Sequence, residues 1–220
     1  MKENRWKNIT TCVRLIKYGM NAKQCLGAML LFTVVGIAFE IMNLLGTEGY
    51  SSRFVVDFGA VFLYSAAMYP AQILMSLDVS GMVQASPYKR RIQTDAAAFT
   101  TLCGNLTALV ITLSVYGLAA RAMPQRAALI WSGLPAVGVM GLVLSIMGAI
   151  LYKFYILGIV VIAVMFGGIS SWISIGRNMG LESGLNLLGS LPLPAAIAFC
   201  AALILLGGGI QYLIFRVIYK

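Results

Sequence analysis

The stretch DVSGMVQASPYKRRIQTDAAA, residues 78–98, is the long polar interruption between two very apolar parts of the sequence. It carries three consecutive basic residues, Lys89, Arg90 and Arg91. A polar, basic loop between two apolar runs predicts a segment that lies outside a membrane, on its cytoplasmic side. The rest of the chain is expected to be arranged around this loop.

Two helix starts can be recognised within the loop. Ser86 followed by Pro87 has the form of an N-cap and a first helical residue, because the hydroxyl accepts a free backbone amide and proline needs no N–H there. Thr94 and Asp95 are expected to cap a second helix that runs into the next apolar segment. The sequence therefore predicts a short amphipathic helix at about 86–93, between two membrane spans.

The composition places the chain in the membrane. Of 220 residues, 60% are hydrophobic and 10% are charged, and the mean hydropathy is +0.89, which exceeds what the surface of a soluble protein tolerates. A bilayer core of about 30 Å needs about 20 apolar residues in a helix. Because lipid satisfies no backbone hydrogen bond, such runs must be helical. The predicted fold is an all-α integral membrane protein.

Six apolar runs have the required length, and together they predict one six-helix transmembrane domain over residues 25–220. The spans are expected at about 25–46, 54–77, 99–120, 128–152, 154–175 and 193–215. Pro70 lies inside the second span and is expected to bend it. Lys153 alone separates the fourth span from the fifth, which predicts a tight antiparallel hairpin.

Two further segments lie outside these spans. Residues 1–24 are basic, with apolar residues at steps of three and four, which predicts an amphipathic helix in the membrane surface; a disordered basic tail is the alternative. Residues 176–194 are half apolar and rich in glycine, with Gly176, Gly180 and Gly184 spaced every four residues. This spacing permits close helix packing and predicts a re-entrant segment before the last span, with an ordinary external loop as the alternative.

The net charge of +9 comes from 16 basic and 7 acidic residues. The basic residues gather beside the span ends, and no basic patch interleaved with aromatic residues is present to hold a nucleic acid. With the N-terminus inside, twelve basic residues fall on the inner side and four on the outer side. The positive-inside rule then predicts a multi-pass protein of the cell membrane with both termini in the cytoplasm.

Several kinds of chemistry are absent from the sequence. There is no histidine, and the four cysteines show no CxxC spacing, so no catalytic nucleophile pair and no metal site is expected. No GxxxxGK[ST] motif occurs, so the chain has no P-loop for a nucleotide. We therefore expect no cofactor in this chain, no enzymatic activity, and an energy source in another protein.

Two acids lie within or beside the predicted spans, Glu40 in the first and Asp57 early in the second. An ionisable residue in a span is a functional candidate, and these two could serve an ion- or proton-coupled secondary carrier. Arg53 lies in the turn between them and could pair with either acid. A structural ion pair near the outer interface is the interpretation we favour.

The basic leader, the six spans, the loop with ASPYKR at 85–90 and the segment before the last span together resemble the permease subunits of ABC-2 type (type V) transporters, in their short bacterial form. The loop is similar to the small-Pro-x-Lys/Ser-Arg stretch of such permeases. The resemblance covers the whole chain in layout, but only about six residues in local motif.

The resemblance implies that two copies pair in the membrane and that each rests its residues 86–93 on a separate ATP-binding cassette subunit, which holds ATP and Mg. It also implies export of amphipathic peptides or other amphipathic compounds. The residues expected to contact the ATP-binding subunit are Ser86, Pro87, Tyr88, Lys89, Arg90 and Arg91, with Lys153 as a smaller second contact. Binding of anionic lipid headgroups is the alternative for Lys89, Arg90 and Arg91.

Overall fold

The computed structural model describes residues 5–18, 22–45, 58–77, 85, 89–151 and 191–218. Within these residues every regular element is a helix. The elements are α1 (Arg5–Arg14) followed by a 3₁₀ turn (Leu15–Tyr18), α2 (Ala22–Leu45), α3 (Phe58–Ala66), α4 (Tyr69–Ser76), α5 (Lys89–Ala122), a 3₁₀ turn (Pro124–Arg126), α6 (Ala127–Ser132), α7 (Leu134–Leu151) and α8 (Leu193–Ile218).

Five of the described helical stretches are long and apolar enough to cross a membrane: Ala22–Leu45, Phe58–Ser76, Lys89–Ala122, Pro124–Leu151 and Leu193–Ile218. They match the first, second, third, fourth and last predicted spans. The fifth span and the glycines of the predicted re-entrant segment fall in residues 152–190, outside the described residues. The six-span arrangement therefore stays a prediction.

The second span breaks where its proline predicts. Helix α3 ends at Ala66, a turn covers Ala67 and Met68, and α4 begins with Tyr69 followed by Pro70. Proline has no N–H to donate and its ring clashes with the preceding turn, so the helix restarts with proline in its first turn. The α-helix is thus interrupted at the position where the proline predicts a bend.

The predicted helix start at Thr94 and Asp95 is wrong. Helix α5 runs without interruption from Lys89 to Ala122, with a π-helical turn at Ile92–Ala96. The Thr94 hydroxyl does not cap a helix; it donates to the Arg90 carbonyl oxygen four residues earlier, at 2.7 Å. A threonine that bonds backward in this way satisfies itself inside a helix. The basic cluster and the third span are therefore one continuous helix.

Glycines allow the helices to approach closely. A Cβ on Gly59 of α3 would lie 2.7 Å from the Gly36 carbonyl oxygen of α2. On α7, a Cβ on Gly138 would lie 2.9 Å from the Cys200 sulfur of α8. In lipid the hydrophobic effect does not drive helices together, so they associate through close van der Waals packing, which small residues at such crossings permit. They bring α2 against α3, and α7 against α8.

Glycines 207–209 do not interrupt α8, which stays helical from Leu193 to Ile218. A Cβ on Gly207 would lie 3.2 Å from the Ser145 Oγ of α7, and one on Gly208 would lie 2.9 Å from Leu102 of α5. These glycines let α8 pack against two helices at once.

Candidate functional site

The basic cluster of the polar loop is located at the start of α5. Arg90 and Arg91 are exposed and Lys89 is half-buried, whereas the next residues, Ile92 and Gln93, are buried. Residues 86–93 are the segment expected to contact the ATP-binding subunit. On the C-terminal side of this segment, the exposed residues end at Arg91. Ser86, Pro87 and Tyr88 lie outside the described residues.

The leader helix α1 packs against this same segment. Cys12 of α1 is 4% exposed and belongs to a small apolar cluster with Leu74 and Leu77 from the end of the second span and Ile92 and Ala96 from α5. The predicted leader helix is therefore present, and its apolar side contacts protein. The contact ties the N-terminal helix to the base of the basic cluster.

The charges of α5 act on the Cys12 thiol. Burial raises the pKa of Cys12 above its ordinary value, the nearby Arg91 lowers it, and the nearby Asp95 raises it. Desolvation disfavours the thiolate, while a neighbouring cation favours it. Since burial dominates, Cys12 is a neutral thiol at physiological pH. It packs as a small apolar side chain.

Glu40, the first of the two predicted intramembrane acids, lies inside the helix bundle. Its side chain has no exposed surface, and its Oε1 accepts a hydrogen bond of 2.5 Å from the Thr112 hydroxyl of α5. The expected partner Arg53 and the second acid, Asp57, lie outside the described residues. A carboxyl group buried at this depth is costly unless it is hydrogen-bonded, and Thr112 supplies one such bond.

A second polar contact lies deeper along α5. The Asn105 side-chain amide donates to the Ser145 hydroxyl of α7 at 2.7 Å, and this hydroxyl donates to the Gly141 carbonyl oxygen at 2.7 Å. Asn105 is 1% exposed and Ser145 is fully buried. The Asn105 Oδ1 has no hydrogen-bond partner among the described residues. The bundle therefore encloses an amide oxygen that can still accept a hydrogen bond.

Gln211 of α8 is a further buried polar side chain within a span. It has no exposed surface, and neither of its side-chain polar atoms has a partner among the described residues. It follows Gly207 by one helical turn and so shares the side of α8 that meets Ser145. Each unsatisfied buried polar group costs about 1–3 kcal/mol.

Thr112, Asn105, Ser145 and Gln211 were not predicted from the sequence. A pattern is present on α5, where the buried polar residues Thr101, Asn105 and Thr112 are spaced four and seven residues apart and so share one face. A single uncharged polar residue in a long apolar run is a weaker indication of a site than an ionisable residue.

The remaining predicted positions cannot be placed. Lys153, Gly176, Gly180 and Gly184 lie outside the described residues. Within the described part of the chain, no group of three or more cysteine, aspartate or glutamate side chains could hold a metal ion. Comparison of the chain with protein-family models, with curated proteins and with solved structures finds no match.

Proposed function

We propose that the chain is the membrane-spanning permease subunit of an ATP-driven exporter of the ABC-2 type. Two copies pair in the membrane and each is driven by a separate ATP-binding cassette subunit, which holds ATP and Mg. The cargo is an amphipathic peptide or a similar amphipathic compound. This cargo class and the direction of transport come from the family resemblance.

The observation that carries the proposal is the continuity of the basic cluster with a membrane span. Lys89, Arg90 and Arg91 form the first turn of a helix that continues to Ala122. The next turn is buried against α1 and the end of the second span. A push on this turn is therefore transmitted to the membrane-spanning part of the same helix.

Transport then needs no bond-making chemistry in this chain. Nucleotide binding favours the closed pair of ATP-binding subunits, and that preference biases a membrane bundle that has two arrangements. The free-energy difference between the two arrangements is supplied by the ATP-binding subunit, and movement of α5 transmits its effect to the membrane-spanning helices. The basic turn is the point of contact.

The distribution of charge supports a cytoplasmic position for this turn. Helix α1 and the last part of α8 both contact the π-helical turn of α5, so their basic residues lie at the same end of the bundle. Among the basic residues whose side chains the structure describes, that end holds six and the opposite end holds two, which fits the positive-inside rule. The six are Arg14, Lys23, Lys89, Arg90, Arg91 and Arg216, and the two are Arg121 and Arg126.

The test reverses the charge of the basic turn. The tagged chain is purified from its native membrane, and the ATPase activity that copurifies with it is measured. Changing Lys89, Arg90 and Arg91 together to Glu is expected to leave the chain inserted, with an unchanged elution volume, and to remove most of the copurifying activity.

The matched control changes Arg121 and Arg126 to Glu at the opposite end of the bundle, and it should keep the activity. The proposal fails if the triple variant retains wild-type ATPase activity, or if the wild-type chain carries none.

The buried carboxyl group of Glu40 favours a second candidate function, an ion- or proton-coupled secondary carrier. An acid that faces the interior of a bundle is what a proton relay requires. Under this alternative, Glu40→Gln would abolish proton flux into proteoliposomes that contain the chain alone. Under the exporter proposal the chain alone carries no such flux, and the variant keeps its copurifying ATPase activity.

A further inference from the structure

A cavity of about 280 Å³ lies where α5 begins and α8 ends. This volume is just below the range of drug-sized ligand pockets, which run from about 300 Å³ upward, and it suits a compact polar group. Two parts of the chain more than a hundred residues apart form its walls. They contribute Arg90, Arg91, Thr94 and Asp95 from α5, and Tyr212 and Arg216 from α8.

The charge of this cavity selects an anion. Three guanidinium groups and one carboxylate line it, which leaves an excess of positive charge. Planar guanidinium groups bind phosphate oxygens in pairs, with two parallel N–H donors each, more specifically than ammonium groups do. The side chains of Arg90, Arg91 and Arg216 are all exposed, so the cavity opens to the outside of the bundle.

The wall residues are held in place by the fold. The Thr94 hydroxyl donates to the Arg90 carbonyl oxygen at 2.7 Å and lies 3.4 Å from the Asp95 Oδ1. On the α8 side, Phe215 is fully buried next to Arg216 and packs in a cluster that includes Ala97 and Ala98 of α5. The two helices are thus fixed against each other beside the cavity.

The surroundings of Arg216 indicate the source of the anion. Leu206, Leu213 and Val217 of α8 are 54%, 59% and 67% exposed, and their spacing of seven and four residues places them on one face. In a membrane this apolar face contacts acyl chains. Because the face extends to the last turn of α8, Arg216 lies at the level where phospholipid headgroups begin.

We propose that this cavity binds the phosphate group of an anionic phospholipid, with the guanidinium groups of Arg90, Arg91 and Arg216 as donors. The acyl chains then lie along the exposed face of α8. The lipid joins the first turns of α5 to the end of α8, next to the buried contact with α1. This inference requires only this chain and a membrane, and it gives Arg90 and Arg91 a lipid partner in addition to the ATP-binding subunit of the proposed function.

The test measures lipid binding to the purified full-length chain in a non-ionic detergent by native mass spectrometry. The probes are phosphatidylglycerol and phosphatidylcholine with identical acyl chains. Phosphatidylglycerol is expected to bind more tightly, and Arg216→Gln is expected to weaken it about fivefold, the usual effect of one basic residue at an anionic surface. Arg216→Lys should lose less than Arg216→Gln, since it keeps the charge but not the planar fork.

Arg121→Gln serves as the matched control, because Arg121 is an exposed arginine near the end of α5 opposite the cavity. It should leave the lipid preference unchanged. The proposal is overturned if Arg216→Gln keeps the wild-type preference, or if Arg121→Gln weakens it equally.

Two competing occupants have their own outcomes. If inorganic phosphate at the same concentration displaces phosphatidylglycerol, the cavity is a site for free phosphate and the lipid assignment is wrong. If Arg216→Gln leaves lipid binding intact but removes the copurifying ATPase activity, the cavity is a protein-docking surface, and the lipid proposal is again refuted.

Discussion

Replacing Gly59 by alanine tests the close crossing of α2 and α3 that holds Glu40 in place. The added Cβ would lie 2.3 Å from the Glu40 Cγ, 2.6 Å from the Glu40 backbone nitrogen and 2.7 Å from the Gly36 carbonyl oxygen. Ordinary carbon contacts need about 3.5 Å. Two of the three opposing atoms belong to the backbone, so a side-chain rotation cannot relieve the clash, and the two helices must separate by roughly 1 Å.

The magnitude follows from the balance of two effects. Overpacking a close contact costs about 1–3 kcal/mol, while alanine in a helix recovers about 0.5–1 kcal/mol relative to glycine. Taking the middle of each range, a net loss of about 1 kcal/mol remains. For a chain of this size, such a loss lowers the melting temperature by roughly 2–4 °C. Thermal unfolding in detergent, followed by intrinsic fluorescence, measures the shift.

The control is Gly27→Ala on α2, where an added Cβ meets nothing within 4 Å among the described residues. It is expected to leave the melting temperature unchanged or to raise it slightly, because only the helix propensity changes. The crossing is refuted if Gly59→Ala melts at or above the temperature of Gly27→Ala.

Two further predictions follow from buried contacts of α5. Arg91 lowers and Asp95 raises the pKa of Cys12, and maleimide reacts with the thiolate. At pH 8, Arg91→Gln should therefore slow the labelling of Cys12 and Asp95→Asn should speed it, as measured by peptide mass spectrometry. Equal labelling rates in both variants would disprove the packing of α1 on α5. Thr112→Val removes the hydrogen-bond donor to Glu40 and should destabilise the fold by about 1–3 kcal/mol. The same change should cost clearly less in a Glu40→Ala background. If the two losses of melting temperature are additive, the two side chains are not coupled.

The sequence by itself determined the class of the protein and several of its boundaries. Hydropathy and length are local properties, so helices long and apolar enough to cross a membrane overlap five of the six predicted spans, although the third begins at Lys89 and not near residue 99. The break in the second span follows from the covalent structure of Pro70, and the leader helix follows from the period of its apolar residues. The predicted cap at Thr94 failed because threonine also satisfies itself within a helix by bonding backward, which the sequence does not distinguish.

Only the tertiary structure decided which side chains meet. Thr112 and Glu40 are 72 residues apart and Asn105 and Ser145 are 40 residues apart, while Arg216 of α8 lines the same cavity as Arg90 and Arg91 of α5. Helices that are apolar on all sides carry no pattern that reveals which face turns inward. Their rotation is set by close crossings such as that of Gly36 with Gly59, where small residues allow two backbones to touch, and such matches between distant segments exist only after the bundle has formed.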